Sequence, residues 1–129
     1  MGAYTKHNLA DVENSAPRFG MPDDLEARFA RRAIDGHELG LSLFRLGPNL
    51  RIPFGHKHAG QEEVYVVTGG SGRIKVEDEI VELEQWDAIR IDKDTMRAVE
   101  AGPDGIEYLA FGAGDDPSEV EMTQGWWSD

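Results

Sequence analysis

Apolar and polar residues alternate with a period of two along much of the chain. Leu39, Leu41 and Leu43 are separated by glycine and serine, and segment 73–77 alternates charged and β-branched residues. Because successive side chains of a strand point to opposite faces of a sheet, this alternation predicts half-buried β-strands. The continuous apolar run 64–67 predicts a more deeply buried strand. Short strands at nearly even spacing predict an all-β sandwich or barrel.

Glycine-rich segments separate several of these predicted strands. The sequence Gly-Gly-Ser-Gly at 69–72 predicts a tight turn after the buried strand. The sequence Gly-Pro-Asp-Gly at 102–105 predicts a turn between a short strand at 97–100 and a last strand at 106–111. Both segments are therefore expected to reverse the chain.

The N-terminal part of the chain has a different pattern. Residues 1–22 are polar and mixed and are interrupted by proline and glycine, so they predict an extended arm. Segment 25–34 spaces its apolar residues as on one face of a helix, with Asp23 or Asp24 as the N-cap. This spacing favours one short helix, although Ala27 and its apolar neighbours also fit a strand.

Composition excludes several classes of function. A length of 129 residues predicts a single core, and the absence of cysteine excludes disulfides, thiolate metal sites and a cysteine nucleophile. The 13 Lys and Arg residues against 25 Asp and Glu residues give a charge of −12, which disfavours nucleic acid as a partner. The N-terminus lacks the apolar run of a signal peptide and no segment reaches the length of a membrane span, so we expect a cytoplasmic protein without a membrane partner.

The chemically informative segment is His56-Lys-His58 with the carboxylate of Glu63 after it. Residues at i and i+2 of a strand face the same way, so both imidazoles can converge on one point while Lys57 faces outward. A neighbouring antiparallel strand could bring Glu63 over the histidine pair. Two imidazoles and one carboxylate suit Fe(II), Mn, Ni, Co or Zn and leave coordination positions open. A pair of solvated histidines on an edge strand would have the same pattern.

This spacing resembles the first motif of the cupin superfamily. His56 and His58, then Glu63 after a gap of four, then Gly70 after a gap of six, match that motif. The resemblance covers about 38–112 and implies a double-stranded β-helix, or jelly-roll, barrel that is often dimeric and holds any metal inside its mouth. We therefore expect a homodimer.

Two features of this first motif are less regular. Leu50 stands where the motif begins with glycine. Glu62 also fits a shorter gap after the histidines, with Gly69 in place of Gly70. Members of the family usually place the ligand glutamate directly before the apolar strand, which favours Glu63.

The second motif of the family departs further from the pattern. Segment 85–100 aligns with it and retains Asp87, but Arg97 stands where the motif supplies a histidine ligand. Strand parity with Val99 predicts that Arg97 points inward. A guanidinium carries only donors and a permanent charge, so it cannot ligate a cation.

Two arrangements of the pocket remain open at this stage. In the first, His56, His58 and Glu63 hold a divalent metal, while Arg97 clamps an anionic group or stabilises an oxyanion. In the second, Arg97 pairs with Glu63 or Glu62, and the pocket is metal-free.

These arrangements correspond to two functions. One is a mononuclear metalloenzyme acting on a small anionic metabolite by oxygenation, isomerisation or decarboxylation; the other is a non-catalytic ligand-binding protein. Gln61 and Tyr65 are candidates to line the mouth and bind a ligand, although Tyr65 also fits plain packing. His37 shares the parity of Leu39 and could replace the missing ligand, but a surface position in the turn 35–37 is favoured.

The chain is expected to divide into an arm with a short helix at 1–37, a barrel at 38–112 and an acidic tail at 113–129. The tail contains Trp126 and Trp127, which favour burial. We expect these two residues to pack on the barrel or in a dimer interface, and a purely structural role for the protein would rest on them.

Overall fold

The computed structural model describes residues 2–114 and 120–129. Two short 3-10 helices, Leu9–Asp11 and Ala16–Phe19, precede and follow the buried Val12 in the arm. The strands are β1 Leu25–Phe29, β2 Leu39–Leu46, β3 Phe54–His58, β4 Gln61–Val76, β5 Glu79–Glu84, β6 Ala88–Ile91, β7 Arg97–Gly114 and β8 Val120–Gln124. The all-β prediction is confirmed. None of the helices in the described ranges is long and apolar enough to cross a membrane.

The two long strands β4 and β7 form the centre of a curled antiparallel sheet. They pair from Gln61 and Gly114 at one end to Val76 and Arg97 at the other. Strands β5 and β6 pair with β4, while β2 and β3 pair with β7. Outside 38–112, β1 pairs with β2 and β8 pairs with β3, so both extend the same sheet.

The predicted turns at 69–72 and 102–105 are wrong. Both segments lie inside long strands, and β4 shifts register between Val67 and Gly69 and again between Gly70 and Gly72. Gly70 has φ of +69°, and a Cβ there would clash with the carbonyl oxygen of Gly105. The glycines therefore permit bulges and close backbone contact, which bend the paired strands without reversing them.

The short helix predicted within 25–34 is also wrong, because residues 25–29 form strand β1. Leu25 is 1% exposed and Ala27 is 0% exposed, while Glu26 and Arg28 are only partly buried. Pairing with β2 satisfies the backbone of this segment and buries every second side chain. Pairing with β2 therefore made this segment a strand, in which Ala27 fits the period-two pattern, although its apolar spacing also fits a helix.

The hydrophobic core fills one part of the barrel interior. Its fully buried members come from β1, β4, β6 and β7, and burying each large aliphatic side chain contributes about 2 kcal/mol. The largest of them are Leu25, Val67, Ile74, Ile91 and Val99. Among the described residues only Gln61 and Arg97 are polar and buried; Gln61 lines a cavity in the remaining part of the interior, and Arg97 contacts Tyr65, which lines the same cavity.

The C-terminal tryptophans contact the barrel of the same chain. Trp127 is 5% exposed, and the guanidinium carbon of Arg51 lies 4.2 Å from the centre of its ring. Trp126 covers Gly55 so closely that a Cβ there would lie 2.6 Å from the indole. Packing on the barrel therefore accounts for the burial of Trp127, and the expected homodimer stays a prediction.

Candidate metal centre

Strand β3 places two imidazoles on the inner face of the barrel. His56 and His58 are two residues apart, and their ring centres are separated by 5.1 Å. Lys57 faces outward, where its Nζ lies 3.4 Å from Asp94 and 3.5 Å from Glu121. The alternation of β3 therefore converges the two histidines on the interior, as the sequence predicts.

Glu63 brings a carboxylate to this pair from β4, which pairs with β7 and not with β3. Its Oε1 lies 3.6 Å from Nε2 of His58, and one donor atom from each of His56, His58 and Glu63 lies within 4.8 Å of the other two. Metal–ligand bonds of about 2.1 Å require donors roughly 3 to 3.5 Å apart, so side-chain adjustments of about 1 Å would close the set. The donors present thus fit a divalent transition metal.

Glu62, the alternative ligand, faces the opposite side of β4. Its side chain is 49% exposed and accepts a hydrogen bond from Arg90 at 3.0 Å. His37 is also exposed, in the loop before β2. Neither residue lies with the His56 and His58 cluster.

Arg97 enters the same cluster from β7, directly across from His56 in the register. Its side chain is 0% exposed, and Nη2 donates a hydrogen bond to Oε1 of Glu63. Nε donates to the Tyr65 hydroxyl at 3.2 Å, and Nη1 donates to the carbonyl of Thr95 at 2.9 Å. The inward orientation predicted from strand parity is therefore present, and every guanidinium nitrogen has a partner.

Burial and charge hold the two imidazoles in the neutral form. Burial, with added repulsion from Arg97 and His58, lowers the pKa of His56 well below its ordinary value. Burial also lowers the pKa of His58; Glu63 opposes that shift and Arg97 adds to it. Neutral imidazole is the form that binds a metal ion.

Arg97 and Tyr65 are held in their ordinary protonated forms. Burial opposes the charge of Arg97, but Tyr65 and Glu63 outweigh it and raise the pKa of the guanidinium. Burial is the main reason that the pKa of Tyr65 lies well above its usual range. The Tyr65 hydroxyl therefore remains a donor, and its oxygen lies 3.4 Å from Oε1 of Glu63.

The cluster borders a cavity of about 460 Å³ inside the barrel. Gln61 and Tyr65, each 4% exposed, both contribute to its wall, and their role in binding a ligand stays a prediction. Most of the remaining wall is apolar. A separate depression of about 520 Å³ near Ser71 and Glu100 contains none of the histidines, so it is not a candidate for this metal site.

Part of the cavity wall was missed by sequence reasoning. Phe19 and Met21 of the arm, Phe29 of β1 and Arg31 after it all border the cavity. The available signal was weak: large apolar residues in an otherwise polar arm. Packing of the arm against β1 brings Phe19 and Met21 to the cavity.

No protein-family model and no curated protein matches this chain. Solved structures do. A cupin protein from Bacteroides fragilis superposes with a TM-score of 0.73 at 24% identity, over 92% of this chain and 91% of that one. Streptomyces PAC13, in a variant with uridine, superposes with a TM-score of 0.71 at 11% identity, over 92% and 90% of the two chains.

Oxalate decarboxylase from Bacillus subtilis superposes with a TM-score of 0.77 at 19% identity, over 95% of this chain. This chain spans 32% of that enzyme's length. At such identities the likeness establishes the fold alone. The chain has the cupin fold, as the resemblance of its first motif implied.

Proposed function

We propose that this protein binds a divalent transition metal through His56, His58 and Glu63 and presents it to a small anionic metabolite inside the barrel. The observation that carries the proposal is the convergence of these three donors within 4.8 Å beside a cavity. A set of two imidazoles and one carboxylate suits Fe, Mn, Ni, Co or Zn. Such an ion, when bound, supplies a Lewis acid with open coordination positions.

Charge balance supports an anionic substrate. The two histidines are neutral, so within this cluster the single negative charge of Glu63 offsets part of the positive charge of the divalent ion and Arg97. The loaded site would carry a net charge of about +2, which attracts an anion into a cavity of low dielectric. Arg97 would stabilise negative charge next to Glu63 through its fixed positive charge, since its nitrogens are bonded within the protein.

The solved structures with this fold agree with a small-molecule function. One is a decarboxylase for oxalate and another is described with uridine. For this chain we therefore propose oxygenation, isomerisation or decarboxylation of a small metabolite. The fold hosts many chemistries, so the donor set and the cavity carry the proposal.

The ion pair between Arg97 and Glu63 favours a second function, a metal-free binding protein. The pair already satisfies the carboxylate that a metal would need. A divalent ion about 5 Å from the guanidinium would be repelled by roughly 7 kcal/mol at an effective dielectric of about 20, before Glu63 offsets it. In that case Arg97 and the histidines would bind an anion directly.

Elemental analysis of protein purified without an affinity tag decides between these functions. We expect about one metal ion per chain in the wild type and none in the double variant His56→Ala, His58→Ala. The matched control is His7→Ala, His37→Ala, which removes the other two histidines of the chain. Equal, substoichiometric metal in all three proteins would refute the metal site and favour the metal-free function.

A further inference from the structure

One cavity gathers most of the buried polar atoms that have no partner. In the part of the chain that the structure describes, four buried side-chain nitrogens make no hydrogen bond. Three of them, Arg31 Nη1, His58 Nδ1 and Gln61 Nε2, belong to residues that line the cavity beside the metal centre. Buried polar groups are normally paired, so their concentration at one place indicates a missing polar partner.

The protein itself holds the Arg31 guanidinium in place. Nε donates a hydrogen bond to the carbonyl of Gly36 at 3.2 Å, and Nη2 donates to the carbonyl of His37. These bonds use two of its nitrogens and no carboxylate. The remaining nitrogen, Nη1, lies 3.7 Å from the position that a Cβ would take at Gly40, on the cavity wall. Among the residues that the structure describes, Nη1 has no hydrogen-bond partner and no carboxylate pairs with Arg31. A guanidinium held in this way is suited to bind an anion.

A pair of glycines leaves the sheet bare between Arg31 and the metal centre. Gly40 on β2 is the register partner of Gly112 on β7. A Cβ at Gly112 would lie 3.2 Å from Oε1 of Gln61 and 3.4 Å from Oε2 of Glu63. Cross-strand partners present the same face about 5 Å apart. Arg31 Nη1 and Gln61 therefore border a part of the cavity wall that is formed by the backbone of Gly40 and Gly112.

The rest of the cavity is suited to an apolar body. Its wall includes a series of rings in edge-to-face contact, with centres 6.4 Å apart between Phe19 and Phe29 and 5.9 Å apart between Phe29 and Phe44. Met21 and Met122 add flexible apolar surface. The volume of about 460 Å³ corresponds to roughly fifteen waters, which is room for a substituted aromatic ring.

We propose that this cavity binds an organic acid with an apolar, ring-sized body. Arg31 Nη1 binds the carboxylate, Gln61 Nε2 donates to a second oxygen of the same molecule, and the body lies against the phenylalanine rings. One free guanidinium nitrogen and one amide suit a monoanion, whereas a phosphate dianion would need more donors. The proposal rests on the proposed function in that it names the substrate class of the same site.

The test uses a graded set of probes on the full-length protein. Benzoate, phenylacetate and 3-phenylpropanoate are compared with 3-phenylpropanol, which lacks the charge, and with acetate, which lacks the ring. Binding is measured by calorimetry and by the shift in thermal midpoint, on chelator-treated protein and on protein loaded with Co(II). We expect at least one aromatic acid to bind at least tenfold more tightly than both the alcohol and acetate.

Variants test whether Arg31 binds the carboxylate of the ligand. We expect Arg31→Gln to weaken binding of the aromatic acid about tenfold, to the level of the alcohol, with unchanged metal content. The matched control is Arg18→Gln, an exposed arginine of the same arm that pairs with Glu13. Two results with the wild type would overturn the proposal: equal binding of the acid and the alcohol, or no binding of any aromatic acid at about 10 mM. An unchanged affinity in Arg31→Gln would also overturn it.

These outcomes are separate from those of the proposed function. Loss of the metal site, with discrimination between acid and alcohol retained in chelator-treated protein, would refute the metal proposal alone. Stoichiometric metal with no such discrimination would refute the organic-acid proposal alone.

Discussion

Arg97 donates a hydrogen bond to the same Glu63 oxygen that lies 3.6 Å from Nε2 of His58. One carboxylate oxygen thus faces both a permanent cation and an imidazole of the proposed metal site. Because Arg97 is fully buried and Glu63 is 13% exposed, neither charge can turn to solvent without rearrangement. If the proposed metal binds, it must compete with the guanidinium for this carboxylate, and the predictions on Arg97 and Glu63 test that competition.

Replacing Arg97 with histidine should strengthen metal binding. The change removes a buried positive charge from the cluster and adds a neutral donor at the position opposite His56. We expect the affinity for Co(II) to rise at least tenfold, measured by absorption titration of chelator-treated protein. Arg90→His, on the outer face with Glu62, is the control. Unchanged affinity in Arg97→His would show that this position does not reach the ion.

Replacing Glu63 with glutamine should destabilise the metal-free protein. It leaves the guanidinium of Arg97 buried without its counter-charge, which typically costs about 3 kcal/mol in free energy of unfolding. Urea denaturation of chelator-treated protein measures the loss. The adjacent substitution Glu62→Gln breaks an exposed pair with Arg90 and should cost less than about 1 kcal/mol. Equal costs for the two variants would contradict the buried pair.

The lowered pKa of His56 predicts a loss of stability in mild acid. The unfolded chain binds a proton on this imidazole near the ordinary pKa of 6.5, whereas the folded protein resists it. Well above pH 6.5 this imidazole is neutral in both states and does not change stability with pH. Below pH 6.5 only the unfolded chain gains the proton, so the free energy of unfolding falls by about 1 kcal/mol per pH unit.

Urea denaturation of metal-free protein at pH 7 and pH 5 measures this effect. The free energy of unfolding should differ less between pH 7 and pH 5 in His56→Asn than in the wild type. In His37→Asn, a control at an exposed residue, this difference should match that of the wild type. If His56→Asn retains the full acid sensitivity of the wild type, the loss arises from other groups and the prediction is wrong.

Trp127 should contribute to stability through its contacts with the barrel. Its ring is 5% exposed beneath the guanidinium of Arg51, which also donates to the Trp127 carbonyl at 2.9 Å. Trp127→Ala should lower the free energy of unfolding by about 3 kcal/mol. Trp86→Ala removes an indole that is 70% exposed and should change it by about 0.5 kcal/mol or less. If Trp127→Ala leaves the free energy of unfolding nearly unchanged, this residue does not stabilise the barrel.

The sequence by itself determined the parts of this protein that depend on local periodicity. Alternation of side chains along a strand is a property of the backbone, so it predicted an all-β chain, the shared face of His56 and His58, and the inward position of Arg97. The preference for Glu63 over Glu62 came from the resemblance to the cupin motif and not from parity.

Tertiary structure decided the features that depend on pairing between distant segments. Residues 25–29 became a strand because β2 offered a partner edge, and the glycines at 69–72 became bulges because β7 pairs along both sides of them. The cavity wall at Phe19 required the arm to pack against β1. Period and parity act within one segment, whereas these contacts depend on which surfaces meet, and no single segment of sequence carries that information.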